Sequence, residues 1–118
     1  QMRNAAGRFV SPDDKSFKAA AAGADWAKTP GMGVILTDQP GEGSWPVTGA
    51  SFILVHRRQE KPEAGREVLK FFDWAFANGQ AMADELDYVP LPAAVKTLVQ
   101  KHWENNIKDA AGKPVAYK

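Results

Sequence analysis

The side chains of this 118-residue chain that are able to perform acid–base or metal chemistry are few. Its only histidines are His56 and His102, and it has no cysteine, which excludes disulfides, thiol catalysis and thiolate metal sites. His102 falls on the apolar side of a predicted helix, and no carboxylate lies four residues before or after it. A lone imidazole in that setting is poor evidence for a metal ligand. We therefore predict that both histidines are ordinary packed or surface residues.

Three carboxylates, Asp84, Glu85 and Asp87, precede Tyr88. Paired carboxylates catalyse acid–base reactions only where different surroundings drive their pKa values apart. These three lie in a polar stretch of the sequence, with no apolar run around them that would bury one and expose another. We interpret the cluster as a solvated surface.

The loop Pro40–Ser44 (PGEGS) is the nearest approach to a glycine-rich phosphate cradle. It lacks the Gly-Lys-Ser/Thr ending of a P-loop and carries an acid, Glu42, in the middle. It also leads into a predicted strand, whereas an anion cradle leads into a helix N-terminus. No Ser-His-Asp arrangement or metal-ligand spacing can be assembled elsewhere. The residues therefore predict no catalytic, cofactor-binding or metal site.

Composition and charge limit the class of protein. The net charge is +1 and the 15 lysines and arginines are scattered, which gives no electrostatic basis for nucleic-acid binding. No apolar run approaches the ~20 residues that a membrane-spanning helix needs. At 118 residues the chain is one domain or part of one. It begins without a helix cap or a turn, so we expect a piece of a longer protein.

The chain is predicted to be organised around one strand and the helix that follows it. The strand is Val47–His56, and its continuous apolar run, Phe52–Val55, is typical of a strand covered on both faces. The helix is predicted to begin at Pro62, where the absent N–H would have had no partner, and to end at Asn78-Gly79 in a left-handed cap. Its predicted inward side consists of Ala64, Val68, Leu69, Phe72, Ala75 and Phe76.

Shorter elements flank this pair. Ser11 is predicted as the N-cap of a helix that reaches about Gly23, with Asp14 reaching back in a capping box. The remaining predicted elements are short strands at 7–10 and 34–36, helices at 80–86 and 92–107, and extended chain at 88–92. The tail from Gly112 has little reason to be ordered.

Several blocks of the sequence resemble the periplasmic phosphate-binding proteins of bacterial phosphate ABC transporters. The most specific are Trp45-Pro46, the run VLKFFDWA at 68–75 and the run LDYVPLP at 86–92. Weaker likenesses are VSP at 10–12, GADW at 23–26, the stretch 103–107 and GKP at 112–114. The resemblance covers nearly the whole chain and is to the C-terminal part of that family.

The resemblance implies a two-lobed, type II-like α/β fold that holds phosphate in the cleft between its lobes. This chain would be a single partial domain, 1–118, with about three main helices and two or three short strands. Its parts would be a lead-in helix with short strands at 1–36, a hinge-proximal loop at 37–46, and a strand with closing helices of the first lobe at 47–118. The family's phosphate-contacting motifs do not occur here, so no phosphate-binding residue is assigned.

The implied protein is a solute-binding protein without cofactor, not an enzyme, and it is periplasmic. Its partners would be inorganic phosphate, bound through residues outside this chain, and the membrane permease of the transporter; nucleic acid is not among them. The alternative is a stand-alone small α/β interaction module that binds no ligand. The aromatic side chains exceed what so few elements can enclose, so we expect the isolated chain to associate with itself.

Overall fold

The computed structural model describes residues 1–118. Its four helices are α1 (Asp14–Gly23), α2 (Pro62–Asn78), α3 (Gln80–Glu85) and α4 (Ala93–Asn106). Its four strands, each of two residues, are β1 (Met2–Arg3), β2 (Phe9–Val10), β3 (Arg58–Gln59) and β4 (Lys108–Asp109), and a 3-10 turn spans Pro30–Met32. The predicted mixed α/β class is confirmed, and each predicted helix is present. None of the helices has both the length and the apolar character needed to cross a membrane.

The strands form two small ladders, and α1 follows the first of them. β1 and β2 pair antiparallel, while β3 and β4 pair in parallel. The prediction of Ser11 as the N-cap of α1 is wrong, because Asp13 occupies that position and its carboxylate accepts the Ser16 N–H at 2.8 Å. The Ser16 hydroxyl accepts the Asp13 N–H at 3.2 Å, which completes a capping box two residues later than predicted.

The core is divided into two hydrophobic clusters. The first lies between α1, the 3-10 turn and the start of α4, and its buried members are Ala21, Trp26, Met32, Leu36 and Val95. The Trp26 indole N–H donates to the Ala21 carbonyl at 2.7 Å. This large ring is therefore buried without leaving its polar group unpaired.

The second cluster joins α2 to the end of α4 and to the C-terminal tail. Its buried members are Leu69, Ile107, Val115 and Tyr117. The Val115 N–H donates to the Ile107 carbonyl at 3.0 Å, and the Tyr117 ring packs edge-on against Trp103 with ring centres 5.7 Å apart. The prediction that the tail from Gly112 is unordered is therefore wrong, because two of its apolar side chains close this cluster.

The N-terminal half of α2 turns a different face inward from the one predicted. Ala64 and Val68 are exposed, whereas Gly65 and Leu69 are buried. Gly65 decides the orientation, because a Cβ there would lie 2.7 Å from Oε1 of Gln59. The side chain of a β3 residue thus packs against the helix at the position that has no side chain of its own.

The C-terminal half of α2 faces inward as predicted. Phe76 stacks on Trp103 of α4, with ring centres 5.6 Å apart and planes within 6° of parallel. The helix ends at Asn78 as predicted, but the left-handed cap is wrong, since Gly79 has a φ of −84°. The Gly79 N–H donates to the Ala75 carbonyl at 2.8 Å, and α3 begins at the next residue.

The segment predicted as the central strand, Val47–His56, has no strand partner. Its side chains Phe52, Ile53 and Leu54 are 47%, 63% and 94% exposed. Its composition favours extended chain, but a strand also requires a neighbour with which to exchange backbone hydrogen bonds. No other part of the chain supplies that neighbour, so the prediction of a buried strand is wrong for residues 1–118. The predicted strand at 34–36 is likewise irregular chain.

The molecule is elongated and has little interior. It measures 51 × 30 × 18 Å, and its radius of gyration is 16.0 Å, against about 13.5 Å expected for a compact domain of this length. Fifteen of the 118 residues are buried. Most of the link between the two clusters is α4, which contributes Val95 to the first and Trp103 to the second.

Leu69→Ala should lower the free energy of unfolding by about 2–5 kcal/mol, because a fully buried side chain is replaced by a cavity. Val68→Ala is the matched control on the same helix. Its side chain is 42% exposed, so the loss should stay below about 1 kcal/mol. Urea titration followed by tryptophan fluorescence measures both. Equal losses would mean that the face containing Leu69 is not the inward one.

Candidate functional site

The two histidines occupy structural positions. On α4 the half-buried His102 has its Nδ1 3.3 Å from Nδ2 of Asn106, whose amide also donates to the His102 carbonyl at 3.0 Å. His56 is exposed, and its carbonyl accepts a hydrogen bond from the Gln59 side chain. No group of three or more histidine or carboxylate side chains is placed to hold a metal ion.

The acidic residues before Tyr88 border an open cleft. Asp84 and Asp87 line it together with Asp13 and Asp14 from the start of α1, and its volume is about 510 Å³, while Glu85 lies outside it. The meeting of two acidic pairs so far apart in sequence has no local signal. Asp13 already caps α1, Asp14 is in an ion pair within α1, and all four carboxylates are exposed. They share one solvated environment, so none is set apart as an acid or a base.

The glycine-rich loop is fixed by a side chain from the N-terminal hairpin. Asn4 lies between β1 and β2 and is 6% exposed. Its Nδ2 donates to the carbonyls of Glu42 at 2.8 Å, Ser44 at 3.2 Å and Gly41 at 3.3 Å. Its Oδ1 accepts the Arg8 N–H at 3.0 Å, within the turn that joins β1 to β2. One buried amide therefore connects the hairpin to the loop.

Backbone hydrogen bonds close the same loop at its base. The Asp38 N–H donates to the Pro46 carbonyl at 2.9 Å, and the Trp45 N–H donates to the Ser16 carbonyl of α1 at 3.0 Å. A Cβ on Gly41 would lie 2.7 Å from the Ser44 Oγ, so the tip of the loop requires a glycine. Residues 37–46 are thus held by the hairpin, by α1 and by their own ends.

The direction of these bonds bears on anion binding. An oxyanion site presents converging N–H groups, but this loop turns three carbonyls towards Asn4. The Ser44 N–H is also occupied, because it donates to the Gly41 carbonyl at 3.0 Å. Glu42 adds a negative charge at the tip, where it pairs with Arg8 at 3.6 Å. The loop is a structural closure, and its chemistry does not suit phosphate.

Two titratable side chains near the contact of α2 with α4 have shifted pKa values. Burial lowers the pKa of Lys96, and the charge of Lys18 lowers it further, while its Nζ donates to the Phe76 carbonyl at 2.9 Å. The unfolded chain thus holds this proton more tightly, so stability rises with pH as the ordinary lysine pKa is approached. Burial raises the pKa of Tyr117, whose hydroxyl has no hydrogen-bond partner. Neither side chain lines either of the two main clefts.

The second cleft is basic, and the sequence did not reveal it. We call it the basic cleft; its cations are Arg57, Arg58 and Lys108, and its volume is about 300 Å³. Parallel pairing of β3 with β4 brings the arginines and the lysine together. The adjacent arginines are visible in the sequence, but nothing local indicates that Lys108 joins them.

Asn4→Ala should free the loop, because three carbonyls lose their donor, and it should lower the free energy of unfolding by about 1–3 kcal/mol. Hydrogen–deuterium exchange of the Ser44 and Trp45 amides should become faster. The control is Arg8→Ala, which removes only the exposed ion pair to Glu42 and should change stability by less than about 0.5 kcal/mol. Unchanged amide exchange in Asn4→Ala would show that the loop holds its shape without this side chain.

Comparison with known proteins places the chain in a family. No family model matches it. The phosphate-binding protein PstS of Pasteurella multocida is 54% identical over 112 residues, which are 95% of this chain and 33% of that protein. The protein of the same name from Haemophilus influenzae is 51% identical over 91% of this chain and 32% of its own length. That of Xylella fastidiosa is 39% identical over 91% of this chain and 29% of its own length.

The chain spans about a third of the length of the curated relatives that it matches. The resemblance carried by Trp45-Pro46, the run 68–75 and the run 86–92 is therefore confirmed. The chain belongs by sequence to the family of phosphate-binding proteins PstS and corresponds to about one third of such a protein.

Proposed function

We propose that residues 1–118 are a structural part of a periplasmic protein that captures inorganic phosphate and delivers it to the membrane permease of an ABC transporter. Relatives that bear the name phosphate-binding protein support this, with up to 54% identity over 95% of the chain. The whole protein would be a binding protein and not an enzyme. Within it, this chain supports one lobe, and phosphate is contacted by residues outside it.

The observation that carries the lobe-supporting role is the uncovered segment Val47–Val55. It has the composition of a buried strand, yet Leu54 is 94% exposed and the segment has no hydrogen-bonded neighbour. Exposed apolar chain of this kind is unfavourable in water unless a further part of the protein covers it. A neighbour from the rest of a longer protein would provide both the cover and the hydrogen bonds.

The starts of the helices support the absence of phosphate contacts. Asp13 and Asp14 occupy the positive end of α1, and Glu63 follows Pro62 at the start of α2. Carboxylates at these positions repel a phosphate that a helix dipole would otherwise attract. For the same reason we retain loop 37–46 as a hinge-proximal support and 1–36 and 47–118 as its flanking parts.

Complementation tests the proposal. A Pasteurella multocida phosphate-binding protein that lacks the stretch matching this chain should bind no phosphate, and neither should residues 1–118 alone. Mixing the two should restore binding, which isothermal titration calorimetry with inorganic phosphate would detect. A one-to-one isotherm with the isolated chain would contradict the assignment of phosphate contacts to the remainder of the protein.

Two variants make this experiment specific for the uncovered segment. Leu54→Asp should leave the thermal melt of the isolated chain unchanged because the side chain is exposed, but it should block complementation by placing a charge in the new interface. Met82→Asp, at a 56% exposed position on α3, is the matched control and should complement normally. Equal complementation by both variants would refute the lobe-supporting role of Val47–Val55.

The isolated chain should associate with itself. The rings of Phe71 and Trp74 stack on the outer face of α2 and are 60% and 50% exposed, and they add to the uncovered segment around Leu54. Light scattering over a concentration series should show a dimer or a larger assembly, and Leu54→Asp should reduce it. A constant monomer mass at high micromolar concentration would favour the alternative of a stand-alone interaction module.

A further inference from the structure

The basic cleft carries positive charge that the chain does not neutralise. Five ion pairs occur in the structure, and none of them includes a cation of this cleft. The one carboxylate at its edge, Asp109, accepts the N–H groups of Ala111 and Lys113 at 2.9 Å each. That carboxylate is therefore committed to the backbone of the turn that follows β4.

Two of the cations face each other across the ladder. Arg58 and Lys108 are paired residues in the parallel register of β3 with β4, and both line the cleft. Like charges directly opposite each other destabilise a pair of strands. An anion placed between them would convert this repulsion into attraction, which gives the cleft a preference for negatively charged ligands.

The two arginine side chains are already oriented. Nη2 of Arg57 donates to Oδ1 of Asn106 at 3.0 Å, and Nη2 of Arg58 donates to the Ala110 carbonyl at 3.3 Å. A guanidinium has five N–H donors, so most of them remain available. Their planar fork matches a carboxylate through two parallel hydrogen bonds, and the existing anchors reduce the entropy lost when a ligand binds.

We propose that the basic cleft binds an acidic segment of a partner protein through adjacent aspartate or glutamate carboxylates. A small inorganic oxyanion fits less well, because the N–H groups of the turn 109–113 that would surround it already bind Asp109. An anionic membrane also fits less well, because three cations in a concave cleft are fewer than the polybasic clusters that bind lipid. The site does not depend on phosphate binding by the whole protein.

The probe is a fluorescein-labelled peptide of alternating glutamate and glycine, titrated with residues 1–118 and followed by anisotropy. Binding should weaken strongly with salt, because the Debye length falls from about 30 Å at low salt to about 8 Å at physiological ionic strength. Arg57→Glu combined with Arg58→Glu should weaken binding by at least about tenfold through loss of attraction and added repulsion. Arg57→Gln combined with Arg58→Gln should weaken it in the same direction without introducing acids.

The control is Arg66→Glu combined with Lys101→Glu. Both positions are exposed and outside any ion pair, and the net charge changes from +1 to −3, as in the cleft variant. Near-UV circular dichroism should show native tryptophan signals in all variants. Binding by this control as tight as that of the unmodified chain supports the proposal, and an equal loss in both glutamate variants would overturn it.

Three further measurements separate the cleft from other anion sites. Displacement of the peptide by micromolar inorganic phosphate would assign the cleft to a small oxyanion. Binding to phosphatidylglycerol vesicles but not to the peptide would assign it to a membrane. Loss of peptide binding when the chain complements the truncated Pasteurella multocida protein would make it an internal contact. Each of these results overturns the proposal, and retained binding in the complemented protein supports it.

Discussion

The burial of apolar side chains at both ends of α4 is the interaction on which the other elements depend. Val95 near its start is 2% exposed in the first cluster, and Ile107 directly after its end is 4% exposed in the second. α1 and the 3-10 turn pack against the first end, while α2 and the C-terminal tail pack against the second. Polar contacts follow the same division, as Gln100 of α4 donates to Asp73 of α2 at 2.6 Å. Since apolar burial is the dominant favourable term in folding, α4 keeps the two halves in one molecule.

The loop 37–46 depends on a polar interaction in the same way. It contains no helix or strand, so its carbonyl groups need partners from elsewhere. Asn4 supplies them from a hairpin of only two short strands, and the hairpin gains from the loop the burial of its one asparagine. This mutual satisfaction explains why so short a ladder persists at the start of the chain, and why the loop has a defined shape although it carries no reactive group.

Local signals predicted the helices well. Pro62 and Asn78 bound α2 as expected, because caps and periodicity are properties of adjacent residues. The N-cap of α1 was placed two residues early because Ser11 and Asp13 are both residue types that cap helices. The inward face of α2 depends on Gln59 meeting Gly65, which no periodicity can indicate.

The strand at Val47–His56 failed for a related reason, since a strand exists only with a partner and its composition cannot provide one. Tail order was missed because Val115 and Tyr117 find their cluster only after α2 and α4 have met. For the candidate sites, residue types sufficed to interpret the histidines and the glycine-rich loop. The basic cleft was beyond sequence reasoning, because Lys108 reaches the two arginines only through the fold.

The parallel ladder of β3 and β4 also has a kinetic meaning. It joins Arg58 to Lys108, whereas the N-terminal hairpin joins Met2 to Val10. Closing a loop of about 50 residues instead of about 8 costs roughly 1.6 kcal/mol more chain entropy, and two residue pairs return little of it. The ladder therefore forms efficiently only once α2 and α4 lie side by side and have shortened the effective distance. Assembly of the molecule is thus ordered in time, with local helices and the hairpin early and the β3–β4 contact late.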